Sequence, residues 1–441
     1  MSRLFGTDGV RGVANQDLTA ELALKLGEAA ARELGGDNPH PRVVVARDTR
    51  ISGRMLEAAL SAGVTSGGGH VLSCGVLSTP AVAYLVRRWE AHGGVVISGS
   101  HNAYADNGIK FFGPDGYKLD DTTERRIEEQ LERQWPRPTD AGLGKIVEIP
   151  EGESLYADHA LRALEGRSLR GMRVVIDCAN GAAYRTAPLV FRNAGAEVIV
   201  INDAPDGLNI NAGCGSMWPE VVAGQVVRMK ADLGLAHDGD ADRVIAVDEN
   251  GNIVDGDAML AMLALELKQQ DRLTGNVVVS TVMANLGLRQ ALAREGIELV
   301  ETPVGDRYVI EAMRVQRAAI GGEQSGHIVT SSFSTTGDGL VTGLRVAGRM
   351  ASTGQKLSSL SRVVERFPQV LINVAVTDRH AVSSSHRIQA AIEEAKRSIS
   401  GRILVRPSGT EPVVRVMVEA TDADAASAAA NSIAAAIRGE S

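Results

Sequence analysis

Short apolar runs rich in Val and Ile alternate along the chain with longer stretches in which apolar residues recur every three or four positions. Residues 41–46 (Pro-Arg-Val-Val-Val-Ala) predict a strand, 55–64 a helix, 70–74 a strand, 80–88 a helix and 94–98 a strand. The rhythm returns with strands at 173–177, 197–201 and 233–236 and helices at 182–194 and 219–230. A third round has strands at 277–280, 297–300 and 318–320 and helices at 285–295 and 306–317. No residue-level repeat links the three rounds, yet each reads as an α/β unit. The last part of the chain differs. It predicts strands at 370–376, 403–406 and 413–419, a helix at 386–397, and an Ala-rich helix after Thr421 and Asp424, read as a capping box. Pro-containing linkers are expected at 134–152 and at the Arg366-Phe367-Pro368 corner.

The expected fold is therefore α/β: three similar α/β domains with mixed sheets and a smaller C-terminal α+β domain. The boundaries fall at 1–150, 151–254, 255–367 and 368–441. Length agrees, since 441 residues exceed what one core usually organises. The net charge of −8, with both signs interspersed, offers no basic surface for a nucleic-acid backbone, and 3% aromatic residues leave few platforms for bases. Cys74, Cys178 and Cys214 are scattered, odd in number and without metal spacing, so reduced thiols and a cytoplasmic location are expected. The longest apolar run, 258–265, is far short of the roughly 20 residues of a membrane span, so no membrane partner is expected either.

The chemistry gathers in loops that follow strands. Ser100 stands in Gly99-Ser100-His101-Asn102 directly after Val95-Val96-Ile97, a few residues before Asn107-Gly108-Ile109-Lys110. A serine there is often only a helix cap, but His101 as proton carrier and Lys110 as phosphate holder or acid make it a candidate nucleophile or phosphate carrier. Asn102 replaces the second glycine of a nucleophile elbow, which disfavours an esterase. Asp238, Asp240 and Asp242 offer three carboxylates at alternate positions, either a solvated acidic turn or, given their mutual repulsion, a hard divalent cation site. Arg243 at the sixth position excludes an EF-hand, and its guanidinium could orient the site or hold a phosphate.

Further loops look like ligand readers. Gly322-Glu323-Gln324-Ser325-Gly326-His327 could read the vicinal hydroxyls of a polyol or be an ordinary polar turn. Arg406-Pro407-Ser408-Gly409-Thr410-Glu411-Pro412, with Arg415 beyond, could cradle a phosphate or be a rigid hairpin. The opening loop with Asp8 and Arg11, the segment Arg47-Asp48-Thr49-Arg50, and Thr302-Pro303-Val304-Gly305-Asp306-Arg307 add small and basic residues where loops converge.

Taken in order, Phe5-Gly6-Thr7-Asp8-Gly9-Val10-Arg11-Gly12, the Ser100 loop with Asn107-Gly108-Ile109-Lys110, the Asp238–Arg243 loop, the Glu323 loop and the Arg406 loop resemble the motifs of the α-D-phosphohexomutases over nearly the whole chain. Within that superfamily the opening loop, the Gly305-Asp306-Arg307 segment and Glu323-Gln324-Ser325 are most similar to the bacterial phosphoglucosamine mutase branch. The resemblance implies four domains around a central cleft and an intramolecular transfer of phosphate between the 6- and 1-positions of a sugar phosphate. It makes Ser100 a phosphoserine and gives each chain one Mg²⁺, held by Asp238, Asp240, Asp242 and Ser100. A hexose 1,6-bisphosphate is implied as activator and intermediate. Catalytic roles fall to Ser100, His101, Lys110, Arg243 and Arg11, with His327 a further acid/base candidate. Sugar contacts fall to Glu323, Ser325, His327, Thr302, Gly305 and Asp306, and the non-reacting phosphate to Arg406, Ser408, Gly409, Thr410 and Arg415. Its partners would be sugar phosphates, and related mutases are often dimers, which leaves a homodimer open. A sister phosphoglucomutase or phosphomannomutase, a metal-dependent sugar phosphatase and a non-catalytic binder are the alternatives. Gly99 and Ala103 stand where the family usually has Ala and Pro, which predicts a looser Ser100 loop.

Overall fold

A computed structural model describes residues 4–6, 8–376, 385–407 and 413–439. The contacts divide it into two compact units, Met1–Met283 with Glu298–Arg362, and Ala284–Ile297 with Val363–Ser441.

The first unit holds three sheets. One contains β1 (Val10–Val13), β2 (Arg42–Arg47), β3 (His70–Val76), β4 (Gly93–Ile97), β5 (Asp106–Phe112) and β6 (Ile146–Glu148), in the order β1-β5-β4-β2-β3-β6. The next contains β7 (Arg173–Asp177), β8 (Glu197–Ile201), β9 (Leu233–His237), β10 (Val244–Asp248) and β11 (Ile253–Val254), in the order β11-β10-β9-β7-β8. The third contains β12 (Val277–Thr281), β13 (Glu298–Thr302), β14 (Ile320–Gly322) and β15 (Ile328–Thr330), in the order β13-β12-β14-β15.

One topology underlies all three. A first strand (β2, β7 or β12) pairs in parallel with its successor on one side, and the chain then crosses to a third strand on the other side. A fourth strand (β5, β10 or β15) folds back antiparallel on the third. The likeness that the residues conceal is thus a likeness of connection. The reversal of strand order opens a crevice at the carboxyl ends of the first and third strands, the place where open α/β sheets bind ligands. The third strands β4, β9 and β14 end at Ile97, His237 and Gly322, immediately before the Ser100, Asp238 and Glu323 loops.

The central strands are buried on both faces, which is why they read as unbroken Val, Ile and Ala runs. No helix among the described residues is long and apolar enough to cross a membrane.

The second unit carries the antiparallel sheet β16 (Gln369–Ala375), β17 (Gly401–Pro407) and β18 (Val413–Ala420), ordered β16-β18-β17, under the helices His386–Ser398 and Ala423–Arg438. The second of these is capped by Asp422, whose carboxylate accepts from Ala425 N at 2.8 Å. The expected capping box at Thr421 and Asp424 is therefore corrected: Asp422 stands at the N-cap position and its carboxylate reaches the amide three residues on. Two other expectations change. The helix expected from 182 begins at Thr186, because residues 180–185 form turns around Gly181, whose amide donates to Cys178 O. The 134–152 linker carries the edge strand β6, paired with β3.

Candidate active site

Ser98 and Ser100 follow the buried strand β4. Ser98 Oγ donates to Asp48 Oδ2 at 2.6 Å and accepts from Ser100 N at 2.9 Å. This small knot turns the chain so sharply that Ser100 has φ 53°, a left-handed conformation that costs a non-glycine residue about 1–3 kcal/mol. The turn aims Ser100 Oγ at Asp238 Oδ2, 2.9 Å away, with His101 Nδ1 at 3.4 Å. Burial, and then Arg243 and Arg11, push the His101 pKa down to about 4, so its imidazole is neutral at pH 7.

Asp238, Asp240 and Asp242 are all buried, and each brings an oxygen within 4.8 Å of the others. Ala241, at φ 56°, pinches the turn, and its N donates to Asp238 O at 3.1 Å. Asp238 Oδ1 accepts from Arg243 N at 3.2 Å, and Asp240 Oδ2 accepts from Thr79 Oγ1 at 2.6 Å and Lys110 Nζ at 2.8 Å. Asp240 Oδ1 and Asp242 Oδ1 are buried with no hydrogen-bond partner among the described residues. Burial raises the pKa of Asp238 well above the usual carboxylate range, and Asp242 and Asp240 raise it further. A purely oxygen donor set, three carboxylates close enough to share one ion and buried oxygens with no hydrogen-bond partner among the described residues fit a hard divalent cation.

Cations and carboxylates extend from this cluster. Lys110 Nζ pairs with Asp240 at 2.8 Å, Asp8 at 3.0 Å and Asp242 at 3.6 Å. Burial opposes its charge, but those carboxylates outweigh burial and raise its pKa, so Lys110 is a held cation. Asp8 also pairs with Arg11 and Lys118, and Lys118 reaches on to Asp306. Burial opposes ionisation of Asp8 too, but Lys110, Lys118 and Arg11 hold its pKa well below the usual range. Arg243 Nε lies 3.7 Å from Asp242, and its guanidinium feels Glu323 of the third sheet as well.

In that third sheet, Gly305 N donates to Glu323 Oε1 at 3.3 Å, and Asp306 lies 3.5 Å from His327 Nε2, which also accepts from Gly337 N at 3.2 Å. Gln324 Nε2, Ser325 Oγ and His327 Nδ1 are buried with no hydrogen-bond partner among the described residues. Thr302 is buried and directs its hydroxyl to backbone, at 3.0 Å from Pro303 O and 3.4 Å from Ser280 O.

The structure thus brings Ser100, His101, Lys110, Arg11, the three aspartates, Arg243, Asp306, Glu323 and His327 into one connected network. Arg406 and Arg415 face each other across β17 and β18 in the second unit. Ser408, Gly409 and Thr410 lie outside the described residues. Four further residues had no role assigned from sequence: Lys118, Thr79, Asn211 and Arg50. Only Arg50 carried a signal, its place after the first strand; the others are single polar residues in unremarkable stretches. The expectation that Gly99 loosens the Ser100 loop is also corrected. A Cβ at Gly99 would stand 2.9–3.0 Å from three guanidinium atoms of Arg50, so the missing side chain admits a buried arginine that grips the loop.

Phosphoglucomutase/phosphomannomutase models match in order: alpha/beta/alpha domain I at residues 2–136, domain II at 154–251, domain III at 255–367 and the C-terminal domain at 371–436. The chain is 55% identical over 432 residues to a phosphoglucosamine mutase of Mycobacterium sp. (strain KMS), covering 97% of each. It is 53% identical over 427 residues to that of Moorella thermoacetica, covering 96% of each. Its fold matches a Phosphoglucomutase/phosphomannomutase family protein of Burkholderia thailandensis with a TM-score of 0.83 at 23% identity, over 100% of this chain and 98% of that one. The chain belongs to the phosphoglucomutase/phosphomannomutase family, in the α-D-phosphohexomutase superfamily, and shares more than half of its residues with phosphoglucosamine mutases.

Proposed function

We infer that the chain interconverts glucosamine 6-phosphate and glucosamine 1-phosphate, the reaction of a phosphoglucosamine mutase, with Ser100 as the phosphoryl carrier. The carrying observation is Ser100 itself: a fully buried serine in a left-handed turn, its Oγ 2.9 Å from one of three clustered aspartates.

Phospho-Ser100 passes its phosphoryl group to the free C1 hydroxyl of glucosamine 6-phosphate. The P–O bond to Ser100 breaks, a P–O bond to the sugar forms, and the hydroxyl proton leaves to a base. The resulting 1,6-bisphosphate turns end for end and returns its 6-phosphoryl group to Ser100, releasing the 1-phosphate. His101, neutral and 3.4 Å from Oγ, is assigned as the proton acceptor. Lys110 stays charged and steadies the negative charge near Asp240. Arg243 and Arg11 add positive charge on either side of the carboxylates, while Glu323 and Ser325 offer an acceptor and a hydroxyl to sugar groups. Asp238, Asp240 and Asp242, with phospho-Ser100, would hold a Mg²⁺, which when bound offsets charge on the transferring group. Arg406, Ser408, Gly409, Thr410 and Arg415 are assigned to the phosphate that is not reacting. The same reading makes the enzyme cytoplasmic and its partners small sugar phosphates, and leaves a homodimer open.

A coupled assay of glucosamine 1-phosphate formation, with Mg²⁺ and a trace of hexose 1,6-bisphosphate, tests this beside glucose and mannose 6-phosphates. Preference for the amino sugar is expected, with a loss of at least ~10⁴-fold in Ser100→Ala. Faster turnover of glucose or mannose would move the chain to a sister activity. Phosphate release surviving in Ser100→Ala would rule out the phosphoserine route.

A further inference from the structure

Ser100 does not hold its left-handed turn alone. Behind it lies Arg50, 1% exposed, at the carboxyl end of β2, across the crevice from the end of β4. Its Nη2 donates to Asn102 O at 2.6 Å and Ser100 O at 3.2 Å, its Nε to Asp106 O at 2.7 Å, and its Nη1 to Asp48 Oδ2 at 2.5 Å. Asp48 in turn accepts from Ser98 Oγ, which receives Ser100 N. From the second sheet's side comes Asn211, whose single Nδ2 donates to the same two carbonyls, Ser100 O at 2.8 Å and Asn102 O at 2.9 Å. Asn211 is itself fixed by its N donating to Ala179 O at 2.9 Å.

Gly239, in the aspartate loop, closes the arrangement. A Cβ there would stand 2.5 Å from Ser100 O and 2.9 Å from Asn211 Nδ2, so the two loops touch backbone to backbone. Arg50, Asn211 and Gly239 therefore lock the carrier loop of the first sheet to the carboxylate loop of the second.

We propose that Arg50 and Asn211 are positioning residues that clamp the Ser100 turn from two sides and keep its Oγ at a constant distance from the Asp238 carboxylate in both half-reactions. The proposal rests on the phosphoserine reading. It answers a demand peculiar to that chemistry: the sugar must change orientation between two transfers while the serine oxygen meets each phosphoryl group in line. A carrier that drifted by about 1 Å between transfers would lose on the order of 10²-fold in rate. The guanidinium fork suits this role because one planar group reaches three carbonyls and a carboxylate, which a lysine cannot do.

The test compares wild type with Arg50→Lys and Asn211→Ala, each loaded with a hexose 1,6-bisphosphate. A kcat lowered by at least ~30-fold is expected, with KM for glucosamine 6-phosphate within about threefold and an unchanged thermal midpoint. In ³¹P NMR the phosphoserine line, single and sharp in wild type, should broaden or split as the turn populates other conformers. Turnover within about threefold of wild type, with a sharp line in both variants, would overturn the clamp. If Arg50→Lys fails to fold, Asn211→Ala, altering a half-buried amide, decides the matter. If wild type carries phosphoserine but ignores the amino sugar, the substrate reading fails, and the ³¹P comparison still judges the clamp.

Discussion

The Ser100 turn and the Glu323 loop lie in one unit of the molecule and differ in where side chains serve the backbone and where they are left open. Around Ser100 the backbone is saturated: Ser100 O and Asn102 O each accept two side-chain donors, while Gly239 O, Asp240 O and Ala241 O accept the amides of Ala182, Thr79 and Gly339. In the Glu323 loop, Gln324 Nε2, Ser325 Oγ and His327 Nδ1 are buried with no hydrogen-bond partner among the described residues. A buried polar atom left open costs roughly 1–3 kcal/mol, so such a loop is completed by what it binds. The contrast follows from the proposed reaction. The atom that carries the phosphoryl group must not move, whereas the groups that read the sugar must accept it in two orientations, which adaptable donors and acceptors can do.

The largest break in this contrast should come from Asp240, which joins the unpartnered carboxylate oxygens to Lys110. Asp240→Asn removes a charge from the cation site and one of the three carboxylates paired with Lys110. The expected loss is ~10²–10³-fold in kcat, unrecovered by excess Mg²⁺. A coupled assay across Mg²⁺ concentrations checks it, and full recovery at high Mg²⁺ would show that Asp240 only tunes affinity.

The reading loop should respond in the other kinetic constant. Ser325→Ala and Glu323→Gln are each expected to raise KM for glucosamine 6-phosphate about tenfold with kcat within a few-fold, since each removes one contact common to ground and transition states. A fall in kcat alone would place these side chains at the reacting end.

The smallest effect concerns stability at the seam between the two regions. Asp338 N donates to Ile328 O of β15 at 3.1 Å, and the next amide, Gly339 N, donates to Ala241 O in the aspartate loop at 3.0 Å. The Asp338 carboxylate caps the helix Gly339–Thr353 and accepts from Tyr156 Oη at 2.8 Å. Burial pushes its pKa up to about 6 from an ordinary 3.8. The folded protein therefore keeps a proton that the unfolded chain releases across that window, and wild-type stability falls as pH rises through it. Asp338→Asn keeps a capping oxygen without titrating, so it should stabilise the protein by up to about 3 kcal/mol at pH 8 and less at pH 5. Urea unfolding at the two pH values measures this; a gain independent of pH would refute the titration.

Much of this site could be read along the chain because each functional loop follows a buried strand. Val95-Val96-Ile97 before Ser100 and Leu233-Gly234-Leu235-Ala236 before Asp238 announce strands, and the polar residues that follow them stand where such sheets place their chemistry. Some elements gave no such pattern. No element is expected from sequence at the helix Gly339–Thr353, most of which is buried, or at the strands β5, β10 and β15, which fold back antiparallel on their neighbours.

What the sequence determined by itself is local: strand runs, the residue types at their ends, and hence the class of chemistry. Its reach ended where contact is made over long separation. Lys118 meets Asp306, Asn211 meets Ser100, and Thr79 meets Asp240 only because three sheets of one topology bring their crevices together within one unit. Those pairings depend on strand order and on the direction in which each chain crosses its sheet, which no local pattern of residues encodes, and the tertiary structure alone decided them.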